Sequence, residues 1–141
     1  MFLGEFEYRI DEKGRLPLPP RFRQRLKDGL VIAPSPEKCL SVYTISEWKK
    51  MAESLAGGGL SPSKMRKIHR ALFATAFHTE IDAQGRIHLP ITLRTYAELA
   101  DDVVVAGANN YLELWDKSAW EAEKSDDLAE AWQILESLEK H

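Results

Sequence analysis

Two stretches of this sequence set an aspartate four residues ahead of an arginine, with a glycine just before the arginine: Asp11-Glu-Lys-Gly-Arg15 and Asp82-Ala-Gln-Gly-Arg86. At that spacing, across a glycine turn, carboxylate and guanidinium meet as an ion pair. Two outcomes follow. In one, the pair only staples its turn, and an exposed pair contributes about 0–1 kcal/mol. In the other, Asp11 and Asp82 orient Arg15 and Arg86 so that the backbone N–H groups and the guanidinium face outward. The planar guanidinium fork then matches two acceptors on a guanine edge or a phosphate. Gly14 and Gly85 would let the backbone approach a duplex closely. Lys13, Gly14, Arg15, Gln84, Gly85 and Arg86 are therefore the candidate DNA-contacting residues, with Asp11 and Asp82 as arginine-orienting groups. Lys13 makes the first loop the stronger candidate; neutral Gln84 makes the second lean toward a structural copy. Arg9, Arg21 and Arg23 would add phosphate contacts, which position a protein without reading sequence, or else form a solvated face.

Other chemistry finds little support. His69, His78, His88 and His141 show no metal-ligand spacing, although His78 and His88 would approach each other across a second hairpin. The lone Cys39 reads as a small buried hydrophobe and fits a reducing cytoplasm. Gly57-Gly-Gly59 lacks the lysine and hydroxyl of a phosphate-binding loop and reads as a linker. No nucleophile elbow, Cys–His pairing or zinc-protease motif occurs. Asp101-Asp102 and Asp126-Asp127 suit helix starts and solvated faces. Trp48 and Trp120 read as residues that dock helices. The expectation is a protein that is not an enzyme, with no cofactor, metal or small-molecule substrate.

The elements that must position these loops come from an internal repeat. Ile10 to Pro19 matches Ile81 to Pro90 with Asp, Gly, Arg, the alternating apolar positions and the proline in register. Phe22-Arg23 matches Leu93-Arg94, Leu30–Ala33 matches Val103–Ala106, and Leu40–Tyr43 matches Leu112–Trp115. The first unit predicts strands at Tyr8–Asp11 and Arg15–Leu18 joined as a hairpin, with Pro17 suited to an edge. A helix over Arg21–Lys27 follows, with Phe22 and Leu26 inward, then strands at Leu30–Ala33 and Leu40–Ile45. The second unit predicts a hairpin, a helix opened by Pro90, and strands at Val103–Val105 and Tyr111–Trp115 around an Asn109-Asn110 turn. Between the units, Ser46 is the expected cap of a helix over Glu47–Leu55, and Ser61 or Ser63 of a second. That second helix sets Met65, Ile68, Leu72 and Phe73 against Lys64, Arg66, Lys67 and Arg70. An acidic helix begins near Ser118. The units span residues 5–47 and 76–119, with the acidic helix over 120–141. Each unit is too small to bury much core alone, so the two should pack about a pseudo-two-fold axis. The amphipathic helices then either cover that core or join neighbouring chains.

The chain is 141 residues long with a net charge of −3, at first sight a poor match for nucleic acid. Distribution changes that reading. Residues 1–100 hold 16 Lys and Arg against 11 Asp and Glu, whereas residues 101–141 hold 3 against 11. The acidity belongs to the C-terminal end. No apolar run approaches the ~18 residues of a membrane span, and the N-terminus lacks the pattern of a signal peptide.

These residues resemble the MraZ family, within the wider SpoVT/AbrB-like swapped-hairpin fold. The resemblance rests on Met1-Phe2 with Gly4, and on Asp11-Glu-Lys-Gly-Arg15 with Leu18-Pro19 and Phe22-Arg23. It continues through Val42-Tyr43, Glu47-Trp48, the Arg66/Arg70 helix and Asp82-Ala-Gln-Gly-Arg86 with Leu89-Pro90. Val103–Gly107 and Glu113–Asp116 complete it. It implies an α+β fold of two SpoVT/AbrB-like swapped-hairpin β-barrel units. It also implies a bacterial transcriptional regulator, cytoplasmic and nucleoid-associated, that binds double-stranded promoter DNA. Such regulators act at the promoter of the division and cell-wall gene cluster, on tandem direct repeats, as a ring-like homo-oligomer. The alternative is a ring-forming scaffold without sequence-specific DNA binding.

Overall fold

Each repeat supplies four short strands, and the strands find their partners across the repeat boundary. In the computed structural model, which describes residues 1–139, the elements of the first unit are β1 (Glu5–Arg9), β2 (Arg15–Pro17), α1 (Pro20–Arg23), β3 (Leu30–Pro34) and β4 (Leu40–Thr44). α2 (Ile45–Ala56), α3 (Pro62–Ile68) and a π-helical turn (His69–Phe73) follow. The second unit gives β5 (Phe77–Thr79), β6 (Arg86–His88), α4 (Ile91–Tyr96), β7 (Asp102–Gly107) and β8 (Leu112–Asp116), and α5 (Lys117–Glu139) closes the described chain.

The expected hairpins are replaced by exchange between units. β1 pairs antiparallel with β7 of the second unit, and β5 pairs in the same way with β3 of the first. β2 does not pair as a strand with β1 and forms a two-stranded ribbon with β6. A three-residue strand is too short to hold an isolated hairpin, whereas β1 and β5 complete the hydrogen bonding of the buried strands β7 and β3. Pro17 lies in the ribbon, where both strands are edges and its missing N–H costs least. The large sheet runs β1-β7-β8-β4-β3-β5. That order is unchanged when the two units are interchanged, so a pseudo-two-fold axis passes between β4 and β8 where Ser41 faces Glu113. In the ribbon the same axis passes where Leu16 faces Ile87.

Ribbon, short helices and the inner sheet face enclose one core built from repeat-related pairs. Leu16 and Ile87, Leu18 and Leu89, Phe22 and Leu93, and Leu26 and Ala97 come from the ribbon and helices. Leu30 and Val103, Ile32 and Val105, Leu40 and Leu112, and Val42 and Leu114 come from the sheet. Phe2 joins them, fully buried and edge-on to Phe22 at 5.2 Å. Burial of such side chains stabilises by about 1.5–3 kcal/mol each, and neither unit alone encloses them. The first helix is shorter than expected, ending at Arg23, but Phe22 and Leu26 both face inward.

Helices cover the outer sheet face. β4 runs straight into α2, so Thr44 rather than Ser46 caps it, its hydroxyl accepting from the Glu47 N–H at 3.1 Å. Ser61 caps α3. Trp48 docks α2 edge-on to Tyr43 and Phe73. Trp120 docks the start of α5 against Trp115, 6.0 Å between ring centroids, with its Nε1 buried and unpartnered among the described residues. Lys117–Glu7 and Lys124–Glu5 pairs fasten the same end of α5 to β1.

Candidate nucleic-acid interface

Each Asp-x-x-x-Arg loop is organised by its aspartate. Asp11 Oδ1 accepts from the Lys13 and Arg15 N–H groups, both at 2.9 Å, and Oδ2 accepts from Arg15 Nε at 2.6 Å. Asp82 repeats this with the Gln84 and Arg86 N–H groups at 2.9 Å and Arg86 Nε at 3.0 Å. An aspartate bonding the backbone two residues on is the geometry of an Asx-turn. The Arg15 and Arg86 N–H donors, with the guanidinium bonds behind them, hold both carboxyls below the usual aspartate range.

The loops are therefore not the outward-facing cradles of N–H groups expected from the sequence. The N–H groups of Lys13, Arg15, Gln84 and Arg86 turn inward to the carboxylates, and those of Gly14 and Gly85 bond the Asp11 and Asp82 carbonyls. What remains for a partner is side chain, with Lys13 exposed and Arg15 and Arg86 partly so. Each arginine is tied through Nε, so its terminal nitrogens are held in a defined direction. Lys13 has no ion-pair partner among the described residues. Gln84 Oε1 accepts from Arg86 Nη2 at 3.2 Å, so the neutral residue of the second loop helps to set its arginine.

The glycines also differ from expectation. Gly14 and Gly85 are buried, each with φ +77, a conformation that disfavours any side chain. A β-carbon on Gly85 would overlap the Arg23 guanidinium, and one on Gly14 would stand 3.0 Å from that of Arg94. The relation is crossed. Arg23, from the first unit, lies over the second loop, and Arg94, from the second unit, lies over the first. Each arginine is anchored by an Nε bond of 2.9 Å, to the Leu18 and Leu89 carbonyls respectively. Those residues in turn donate their N–H groups to the carbonyls of Gly85 and Gly14. Arg23, expected on a phosphate-facing surface, is thus half-buried and props a loop. Arg94 received no role from the sequence, although it is the repeat equivalent of Arg23, and the repeat is the signal that finds it.

The ribbon brings the two loops side by side. Arg86 Nη1 lies 3.9 Å from Asp11 Oδ2, which links one loop to the other. Of the remaining candidates, Arg9 pairs with Asp101 at 3.3 Å, both highly exposed. Arg21 lies over the Phe6 ring at 5.2 Å, and its neighbour Arg25 over Phe2 at 4.0 Å.

Elsewhere, His78 pairs with Val31 in the large sheet while His88 lies in the ribbon edge-on to Phe77, so they do not converge. His141 lies outside the described residues. Glu37, Cys39 and Glu113 form one cluster of ligand type, their donor atoms within 4.8 Å of one another. Its chemistry is that of a hydrogen-bonded pair. The Cys39 thiol faces Glu113 Oε2 at 3.7 Å, and the Trp115 indole donates to Oε1 at 3.1 Å. Burial pushes the thiol up to about 12 and raises the Glu113 carboxyl. Among the described residues, no helix is long and apolar enough to cross a membrane.

Comparison with known proteins gives consistent results. The family model described as "MraZ protein, putative antitoxin-like" matches residues 1–70 and 72–133. A protein named Transcriptional regulator MraZ from Dehalococcoides mccartyi strain BAV1 is 58% identical over 142 residues, covering all of both chains. Its namesake from strain 195 is 56% identical over 99% of each chain. One from Frankia alni is 44% identical over 86% of this chain and 85% of its own.

Proposed function

Because the chain belongs to the MraZ family, we propose that it is a transcriptional regulator that binds promoter DNA through the paired loops Asp11–Arg15 and Asp82–Arg86. The observation that carries the reading is the fixed placement of two adjacent arginines, each tied through Nε to its own aspartate, with the terminal nitrogens of Arg86 set further by Gln84 and Asp11. Arg15 and Arg86 read a base edge or clasp a phosphate, and Lys13 adds charge on the first loop. Asp11, Asp82 and Gln84 orient, while Gly14 and Gly85 admit the propping arginines. Arg9 and Arg21 contribute phosphate contacts at the margin. Residues 5–47 and 76–119 act as the two repeats of one DNA-binding body, with α5 beyond residue 119 outside it.

One pair of loops offers few charges, and a single copy would bind weakly. A ring of copies on tandem repeats gains affinity through effective concentration, with no new type of contact. We assign the site to the promoter of the division and cell-wall gene cluster, in the cytoplasm at the nucleoid. Footprinting on the DNA upstream of its own gene tests this. Evenly spaced protected repeats are expected, lost in the Arg15→Ala variant. Affinity should fall with salt at a log–log slope of about −0.9 per phosphate neutralised. A footprint unchanged in Arg15→Ala would refute the loop assignment; no protection at all would leave a scaffold role as the better account.

A further inference from the structure

Two surfaces of this chain are incomplete. After Lys124, α5 leaves the body of the protein, and of residues 125–139 only Ala131 is even half-buried. That stretch is about 22 Å long at 1.5 Å per residue. Leu128, Trp132, Leu135 and Leu138 form an apolar stripe along it, at 48%, 60%, 48% and 66% exposure. A helix of such length is marginal in water unless an apolar face is packed. It carries Asp126, Asp127, Glu130, Glu136 and Glu139 with no cation.

The second surface has the opposite charge. Between the outer sheet face and α3 with its π-helical turn lies an apolar groove of about 410 Å³, lined by Pro36, Tyr43, Ile68, Ala71, Leu72 and Tyr96. The helix that walls it carries Lys64, Arg66, Lys67 and Arg70 and no acid, and none of the four has an ion-pair partner among the described residues.

We propose that the free half of α5 of one copy seats in this groove of a second copy, its stripe on the apolar floor and its carboxylates against the α3 cations. The proposal rests on the self-assembly put forward above and gives it an interface. Because the two patches differ, the contact is head-to-tail, and a joined pair keeps one unused groove on one copy and one unused helix on the other. Repetition closes into a ring when the rotation permits.

Sedimentation of the full chain tests it. The wild type is expected to run as an oligomer several times heavier than the 16.0 kDa chain. A Trp132→Glu/Leu135→Glu variant, and separately an Ala71→Glu variant, should each run as folded monomers, with helical content reduced only by the unpacked half of α5. Their equimolar mixture should give dimers and nothing larger, since only one groove and one helix remain competent. An Ala71→Glu variant as large as the wild type, as pairing of α5 with α5 would give, overturns the proposal, and so does a mixture that stays monomeric. Both variants oligomeric beside an oligomeric wild type overturns the docking alone. A monomeric wild type overturns the self-assembly as well.

Discussion

The Arg94 guanidinium lies against Gly14, 3.0 Å from where a β-carbon would stand, and Arg23 holds the same relation to Gly85 from the other unit. Each loop is thus supported by a helix belonging to the opposite repeat. Glycine is required here by the support behind the loop, and the surface in front is left to Arg15, Arg86 and Lys13.

Gly14→Ala should therefore be costly for two reasons, left-handed backbone and collision with Arg94 and the Leu89 carbonyl. Gly59 supplies the control, with φ +70 and open space around it. Gly59→Ala should lose about 1 kcal/mol from conformation alone, and Gly14→Ala about 1–3 kcal/mol more from overpacking. Urea denaturation of both variants measures the difference. Equal losses would mean that Arg94 swings away freely and props nothing.

Acid should weaken the loops. The Asp11 and Asp82 carboxyls lie below their ordinary range in the folded chain, first through the N–H groups of Arg15 and Arg86. A depressed carboxyl pKa contributes stability that is fully present above the unfolded value and lost as pH falls through the folded one. The Asp11→Asn/Asp82→Asn protein should lose that part of the acid dependence while retaining the rest. Denaturation midpoints from pH 7 down to about 2 follow the change. Parallel curves for the two proteins would show that these carboxylates do not drive it.

Cys39 is fully buried, and its thiol is pushed up to about 12, chiefly by burial. Alkylation needs the thiolate. At pH 8 the native protein should resist iodoacetamide for hours, with complete labelling in denaturant. Mass spectrometry reads the outcome, and rapid native labelling would place the thiol in a more open site.

Two tryptophans should respond unequally to phenylalanine. The Trp120 indole N–H is buried without a partner among the described residues, so Trp120→Phe removes an unpaired donor and should change stability by under about 1 kcal/mol. The Trp115 N–H serves half-buried Glu113, and Trp115→Phe should cost about 1–3 kcal/mol by leaving that carboxylate short of a donor. Thermal or chemical unfolding of the two variants checks the order, and a larger loss for Trp120→Phe would contradict it.

The loops and the repeat were legible because the same residue types recur in the same order in both units, and the aspartate-to-arginine spacing admits few geometries. The core was legible for the same reason: Phe22 and Leu26, or Val103 and Val105, face inward wherever their strand or helix pairs. Partner choice was not. β3 and β7 carry equivalent apolar residues, so β1 satisfies the same pattern whether it folds onto its own unit or the other. The direction of the loop N–H groups depends on which acceptor reaches them first, and an aspartate two residues away wins over solvent. The role of Arg94 lay in a contact with a glycine 80 positions distant, which no local pattern encodes.

Exchange of β1 and β5 between units gives this chain the architecture of two intertwined subunits joined covalently. Two separate subunits of one sequence must remain identical, and any substitution appears on both sides of their axis. Here the link releases that constraint. The Lys13 position of one loop is Gln84 in the other, so a symmetric scaffold can present an asymmetric face, and its two halves are free to specialise without ever having to find each other.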